Sequence, residues 1–431
     1  MNTRSGPPES LNLNVRGMRP SATVAINEHS NALIAAGQTV YKLGLGQSPF
    51  PVPPAVVEAL RQHAHRKEYM PVRGLAELRT AVAEFHRRRA GLSWHFEADD
   101  VLVAPGSKEL MFLVQLAFYG DLLLPSPSWV SYSPQAQIIG RQVNFLPTRA
   151  EDRWMLRPDT LDEHCRRDRG RPRILILNYP SNPTGQTFSA DELAALAVVA
   201  REHQLIVISD EIYGELHHEG AHRSIAEFYP EGTILSSGLS KWCGAGGWRL
   251  GTFLFPPQLR WLRDAMAAVA SETYTTTSAP IQCAAVTAFA CGPEIEEYLV
   301  RARQILRALG TWSSKRLLAA GALCHRPEGG FYLFPDFQGH AARLRERGIN
   351  DGEALCERLL AETGVAILPG SDFGRPRGDW TARLAYVDFE GEAALTEVAR
   401  APSIALDEAW LRRMTPRVTT AIDRMCDWLG K

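Results

Sequence analysis

This chain of 431 residues has no uncharged apolar run long enough to span a bilayer, and its first residues, MNTRSGPPESLNLNVRG, contain no apolar core of a signal peptide. Neither insertion nor secretion is indicated; a cytoplasmic protein with a mobile N-terminal arm is the expectation. An excess of one charge is absent too. Lys and Arg number 47 against 48 Asp and Glu, which removes the electrostatic case for nucleic acid or a membrane surface and leaves a small molecule as the partner. Cysteine is sparse. The seven cysteines, an odd count, show no C-x-x-C pair and no metal-like spacing, which speaks for a reducing compartment. His63, His65, His217 and His218 lack a helix-face pattern with carboxylates, so no metal is expected and they read as surface residues. G-x-G-x-x-G is missing, so Gly244, Gly246 and Gly247 do not read as a dinucleotide loop. No internal repeat or low-complexity tract is visible.

The middle of the chain alternates short apolar runs with helical patterns, the signature of a parallel sheet covered by helices. VLVAP from Val101 precedes KELMFLVQLAFY; DLLLP and QVNFLP follow; RILILN precedes ADELAALAVVAREH and then LIVIS. Past Gly321 the texture changes to GGFYLFPDF, an amphipathic helix from about Asp351, VAILPG, ARLAYVDF and a terminal helix. A chain of this length exceeds what one core organises. The division expected is an N-terminal arm over 1–56 packed on the second lobe, a large lobe over 57–321 and a smaller α+β lobe over 322–431.

Three polar clusters stand at the ends of three apolar runs: NYPSNPTG from Asn178, SDEIYGE from Ser209, and SGLSKWCGAGGWRLG from Ser237. Open parallel sheets bind ligands at the carboxyl ends of their strands, so the three can converge on one crevice. A lysine there, Lys241, among residues able to hold a phosphate and a ring nitrogen, is a candidate to form a Schiff base rather than a solvated charge.

Asn-Pro-x-Gly, then Asp-x-x-Tyr, then Ser-Lys followed eight residues later by Arg is a compound pattern. In it the chain, from about Arg19 to about Phe389, resembles fold-type-I aminotransferases of the aspartate-aminotransferase family, class I/II. The resemblance implies an α/β fold with a large domain built on a mostly parallel seven-stranded sheet and a smaller α+β domain, pyridoxal 5′-phosphate as cofactor, and a homodimer with shared active sites. It implies ping-pong transamination between an amino acid and a 2-oxo acid.

Under that resemblance Lys241 anchors the cofactor and moves the substrate proton, and Asp210 pairs with the ring nitrogen. An aspartate after a strand also caps helices, but its neighbours favour the cofactor role. Asn182 and Tyr213 match the partners of the ring's phenolic oxygen, and Trp129 the ring that stacks on it. For the phosphate, Gly106, Ser107 and Lys108 supply a strand-to-helix turn with free N–H groups, and Arg249 a guanidinium. Tyr69 matches the tyrosine that reaches the neighbouring subunit's phosphate. Gly238 departs from the pattern, since many relatives carry a serine there; Ser237 or Ser240 is left to compensate.

For the substrate, Arg383 matches the arginine that takes the α-carboxylate, helped by Asn182 and the backbone at Gly46. Lys108, Arg19 and Thr23 look like the elements one bacterial subgroup uses for a side-chain carboxylate. An unpaired buried charge costs about 2–5 kcal/mol, so such a site favours aspartate or glutamate over neutral donors by roughly thirtyfold or more. A carbon–sulfur lyase of the same fold and an aromatic- or prephenate-specific aminotransferase are the competing readings. A transcriptional regulator of this fold needs an upstream helix-turn-helix domain, and fewer than twenty residues precede Arg19. Cys243 reads as a packing residue.

Overall fold

In the computed structural model, which describes residues 10–90 and 96–430, strand pairing begins with Tyr41–Lys42 (β1). The large sheet then takes Val101–Ala104 (β2), Asp121–Ser126 (β3), Val143–Pro147 (β4), Arg173–Asn178 (β5), Ile206–Asp210 (β6), Thr233–Gly238 (β7) and Gly251–Leu254 (β8). Their order is β2-β8-β7-β6-β5-β3-β4. β8 runs antiparallel to β2 and β7, and the other pairs are parallel, so the expected mostly parallel seven-stranded sheet is present.

Both faces of this sheet are buried, which explains the near-continuous apolar runs. Alternate residues separate cleanly. Leu122, Leu124, Ile174, Ile176, Ile206 and Ile208 join one core with the helices Ser107–Ala117 and Arg260–Glu272. Leu123, Leu175, Leu177 and Val207 join another with the helices Pro158–Arg166 and Ala190–Glu202. The period-2 geometry of a strand therefore feeds two cores from one sequence run.

The later strands, Tyr332–Leu333 (β9), Val365–Ala366 (β10), Leu368–Pro369 (β11) and Ala382–Ala385 (β12), are short. A three-stranded antiparallel sheet has the order β11-β12-β9. β1 pairs in parallel with β10, Tyr41 opposite Val365, which ties the early chain to the late one. Residues 1–9 of the expected arm lie outside the described residues. The helix anticipated near Asp351 spans Gly352–Thr363: the Asp351 side chain accepts from the Ala354 N–H at 2.8 Å, and Gly364 ends it at φ 76°. A helix over Ala22–Ala35 was not anticipated. Only Ser30 is buried in it, so its sequence carries little contrast between faces. Among the described residues no helix is long and apolar enough to cross a membrane.

Candidate active site

Strand register builds the site. Asn178, Asp210 and Ser236 are successive partners across β5, β6 and β7, so the three side chains share one sheet face near the carboxyl edge. Asp210 is buried, and each of its oxygens is held: Ser236 Oγ donates to Oδ1 at 3.2 Å, and the Tyr132 hydroxyl donates to Oδ2 in a short bond. Burial pushes its carboxyl up to about 6 against the pull of those two donors. Asn178 fastens the turn beyond β5, its amide donating to the Asp210 carbonyl at 2.9 Å and its Oδ1 accepting from the Asn182 N–H at 2.7 Å.

Lys241 follows β7 and is half-buried. Its Nζ donates to the Gly46 carbonyl at 2.7 Å and lies 5.7 Å and 5.9 Å from the Tyr213 and Phe331 ring centres. Burial, with Arg383 and Arg249 nearby, brings its ammonium down to about 8. Tyr213 shares a hydrogen bond with Tyr332, hydroxyl to hydroxyl at 2.7 Å. A Cβ on Gly46 would overlap the Tyr332 hydroxyl, so the glycine lets β9 close over the lysine. Gly46 thus offers Lys241 an acceptor.

Arg383 in β12 is 1% exposed. Its Nη1 donates to Asn182 Oδ1 at 3.2 Å, its Nη2 donates to the Gly44 carbonyl, and it lies 4.9 Å from the ring centres of both Tyr332 and Phe373. Its Nε has no partner among the described residues. The guanidinium therefore meets carbonyl oxygens and rings where a carboxylate would be the natural partner.

Gly106 (φ 97°) precedes the helix Ser107–Ala117, whose first turn has no side-chain cap. Arg249 lies against that turn, where a Cβ on Gly106 would overlap its guanidinium, and its nitrogens donate to the Gly246 and Pro105 carbonyls at 3.0 and 3.3 Å. An uncapped helix start beside a guanidinium that among the described residues donates only to carbonyls is an arrangement able to hold an anion. Gly238 has a steric reason: a Cβ there would stand 2.7 Å from the Leu250 carbonyl oxygen and 3.0 Å from the Gly251 Cα, so the backbone at the start of β8 excludes the serine that the family pattern suggests. Ser237 is buried and Ser240 half-buried beside Lys241.

Trp129, after β3, packs edge-on to Tyr132 at 5.1 Å, with the Lys108 Nζ 5.1 Å from its ring centre. Burial and then Arg249 lower the Lys108 pKa. Lys108 and Arg19 line a cleft of about 1620 Å³ shared with Phe112, Val130, Asp372 and Arg375, while Lys241, Asp210 and Arg383 lie outside its lining. Thr23 is a correction. On the helix Ala22–Ala35 the cleft takes Ala22, Ala25, Ile26, His29 and Leu33, one helical face, and Thr23 sits off it with its hydroxyl 3.1 Å from that of Ser21. Tyr69 is 85% exposed.

His218 is a second correction. It is buried, its ring nitrogens 3.1 Å from the Pro327 and Gly330 carbonyls, so it fastens the approach to β9 instead of facing solvent; His63 and His217 are half-buried and His65 is exposed. Cys243 is fully buried, and burial pushes its thiol up, as suits packing. Tyr132, Ser236 and Tyr332 escaped the sequence reading. Tyr132 follows Trp129 by three residues, but nothing local points it at Asp210.

Lysine, carboxylate, arginine and anion cradle at the carboxyl edge of this sheet define a fold-type-I architecture. The profile of the family "Aminotransferase class I and II" matches residues 38–386. The chain belongs to that family and is an aminotransferase, and the family implies pyridoxal 5′-phosphate. It is similar to an aspartate aminotransferase of Geobacillus stearothermophilus, 33% identical with 86% of this chain and 93% of the relative covered. An aspartate/prephenate aminotransferase of Thermus thermophilus is also 33% identical, over 84% of this chain and 91% of its own. Among solved structures, the Thermus thermophilus aspartate aminotransferase with maleate superposes with a TM-score of 0.82 at 30% identity, covering 97% of this chain and all of that one.

Proposed function

We propose that the protein binds pyridoxal 5′-phosphate at Lys241 and transfers the amino group of an aspartate- or glutamate-like donor to a 2-oxo acid, as a homodimer in which Tyr69 reaches the neighbouring subunit's phosphate. The observation that carries the reading is a set of charged groups at one sheet edge that form no ion pair among the described residues: Asp210 held by hydroxyls, Arg249 beside an uncapped helix start and held by carbonyls, and Arg383 held by carbonyl oxygens. The chemistry of these groups suits a ring N–H, a phosphate and a substrate carboxylate in turn. When bound, the cofactor supplies an aldehyde carbon for amines and a ring that draws electrons from the substrate Cα.

Lys241 is the covalent anchor and afterwards the base at Cα; with its pKa near 8, the neutral amine is accessible close to neutral pH. Asp210 accepts the ring N–H in a charge-assisted bond of about 1.5–3 kcal/mol. Ser107, Lys108 and their neighbouring amides, with Arg249 and Ser240, hold the phosphate; Asn182 and Tyr213 hold the phenolic oxygen; Trp129 covers the ring. Arg383 orients the α-carboxylate. Lys108 and Arg19 take the distal carboxylate from the cleft, a choice supported by relatives named for aspartate and by the dicarboxylate maleate in the Thermus neighbour.

Borohydride treatment of the holoprotein is expected to fix the label on the peptide carrying Lys241. Label on another peptide, or none with the cofactor bound, overturns the assignment. In single half-reactions aspartate and glutamate are expected to exceed alanine by roughly thirtyfold or more, an advantage that Lys108→Ala removes. Equal losses for aspartate and phenylalanine in that variant would take Lys108 out of the substrate site.

A further inference from the structure

Asp210 is gripped from two directions. Ser236 reaches Oδ1 from the neighbouring strand of the same sheet, and Tyr132 reaches Oδ2 from the helix Tyr132–Ile138, which starts just beyond β3 and 78 residues earlier in the chain. Tyr132 is 1% exposed, and its phenol stays protonated, since burial and then the Asp210 charge raise its pKa well above the ordinary value. It is therefore a permanent donor. The Trp129 edge packs against it, so the residue that would cover the ring and the residue that would aim its counter-ion belong to one short segment.

Burial by itself favours the neutral acid at Asp210, and a neutral acid cannot keep a ring nitrogen cationic. Hydroxyl donors to the carboxylate favour its charged form and oppose that tendency. The other titratable and charged groups near Asp210 are Glu211, next in the chain, Tyr213 on the turn beyond, and Lys241 after β7. Glu211 raises the proton affinity of Asp210, and its own charge is held in place by Ser209, Ser224 and His222 at 2.7, 2.5 and 3.0 Å. The hydroxyls of Tyr132 and Ser236 are thus the side-chain donors that counter it.

We propose that Tyr132 is a positioning residue that keeps Asp210 ionised and aimed at the cofactor's ring nitrogen, so that the proton stays on the ring. The proposal rests on the cofactor reading above. It makes the phenol, through Asp210, a regulator of how strongly the ring withdraws electrons.

The test is a pH titration of bound-cofactor absorbance in holoprotein, beside cofactor content and steady-state kinetics. In Tyr132→Phe, Asp210 competes better for the ring proton, the ring loses positive character, and the titration midpoint is expected to rise by about half a pH unit or more. Cofactor content should stay near that of the parent, with kcat reduced on the order of tenfold and KM nearly unchanged. Placing 3-fluorotyrosine at position 132 keeps the shape and strengthens the donor, so it should move the midpoint the other way. An unmoved midpoint in both variants, even with a lower kcat, would make Tyr132 a packing residue and overturn the proposal. If Tyr132→Phe does not fold, the fluorinated protein decides alone. Parent protein that takes up no cofactor would instead sink the functional reading, a result visible before any variant is made.

Discussion

The carboxyl edge of the large sheet and the C-terminal helices use the same charged residue types in opposite ways. Around the helices Glu408–Met414 and Pro416–Gly430, Arg413 meets both oxygens of Glu397, Arg412 spans Glu408 and Asp423, and Arg417 meets Asp388. Those pairs are partly solvated and individually contribute little. At the sheet edge Arg383 and Asp210 are nearly sealed from solvent, yet they meet carbonyls, hydroxyls and rings. Burying a charge without its counter-ion costs several kcal/mol, so a fold that keeps such groups reserves them for a partner from outside. Burial without an ion pair among the described residues, more than residue type, separates these two charges from those of the C-terminal helices.

The largest effect should come from Arg383. Arg383→Ala is expected to lower kcat/KM for every amino donor by roughly thirty- to several-thousandfold, and Arg383→Lys to recover only part, because an ammonium lacks the planar fork. Unchanged kinetics would return Arg383 to the class of Arg413. Next comes Asp210. Its carboxyl is raised to about 6 by burial, so its proton stabilises the cofactor-free native state at low pH, and that contribution is lost as pH rises through about 6. Cofactor-free Asp210→Asn should therefore resist denaturant better than the parent above that pH, by roughly 2–3 kcal/mol, and match it in strong acid. A difference that does not grow with pH would show that Asp210 is not a strained charge. The smallest effect belongs to Arg413→Ala, which should leave kcat/KM unaltered; a large activity loss there would erase the contrast between the two regions.

Much of the large sheet was legible from the chain. Runs such as RILILN and LIVIS declare buried strands because both sheet faces need apolar residues, and the polar clusters that close them follow from ligands binding at carboxyl ends. Lys241 and Asp210 stand in such clusters, whereas Arg383, inside β12, was found only through the resemblance to the family. Tyr332 was not, because GGFYLF reads as strand texture, and only the pairing of β9 with β12 brings its hydroxyl to Tyr213. Thr23 was misread because the helix Ala22–Ala35, with few buried residues, left no pattern from which to tell its faces apart.

Local order was determined by the sequence alone: which runs of the large sheet are strands, and that an aspartate and a lysine stand where two of them stop. Partnership was decided only by the tertiary structure. Lys241 meets Gly46 across 195 positions, Arg383 meets Gly44 across 339, and Tyr132 meets Asp210 across 78. Side-chain periodicity is a property of a few neighbouring residues, whereas contacts at such separations depend on the order of strands in the sheets and on how the late strands close over the early chain.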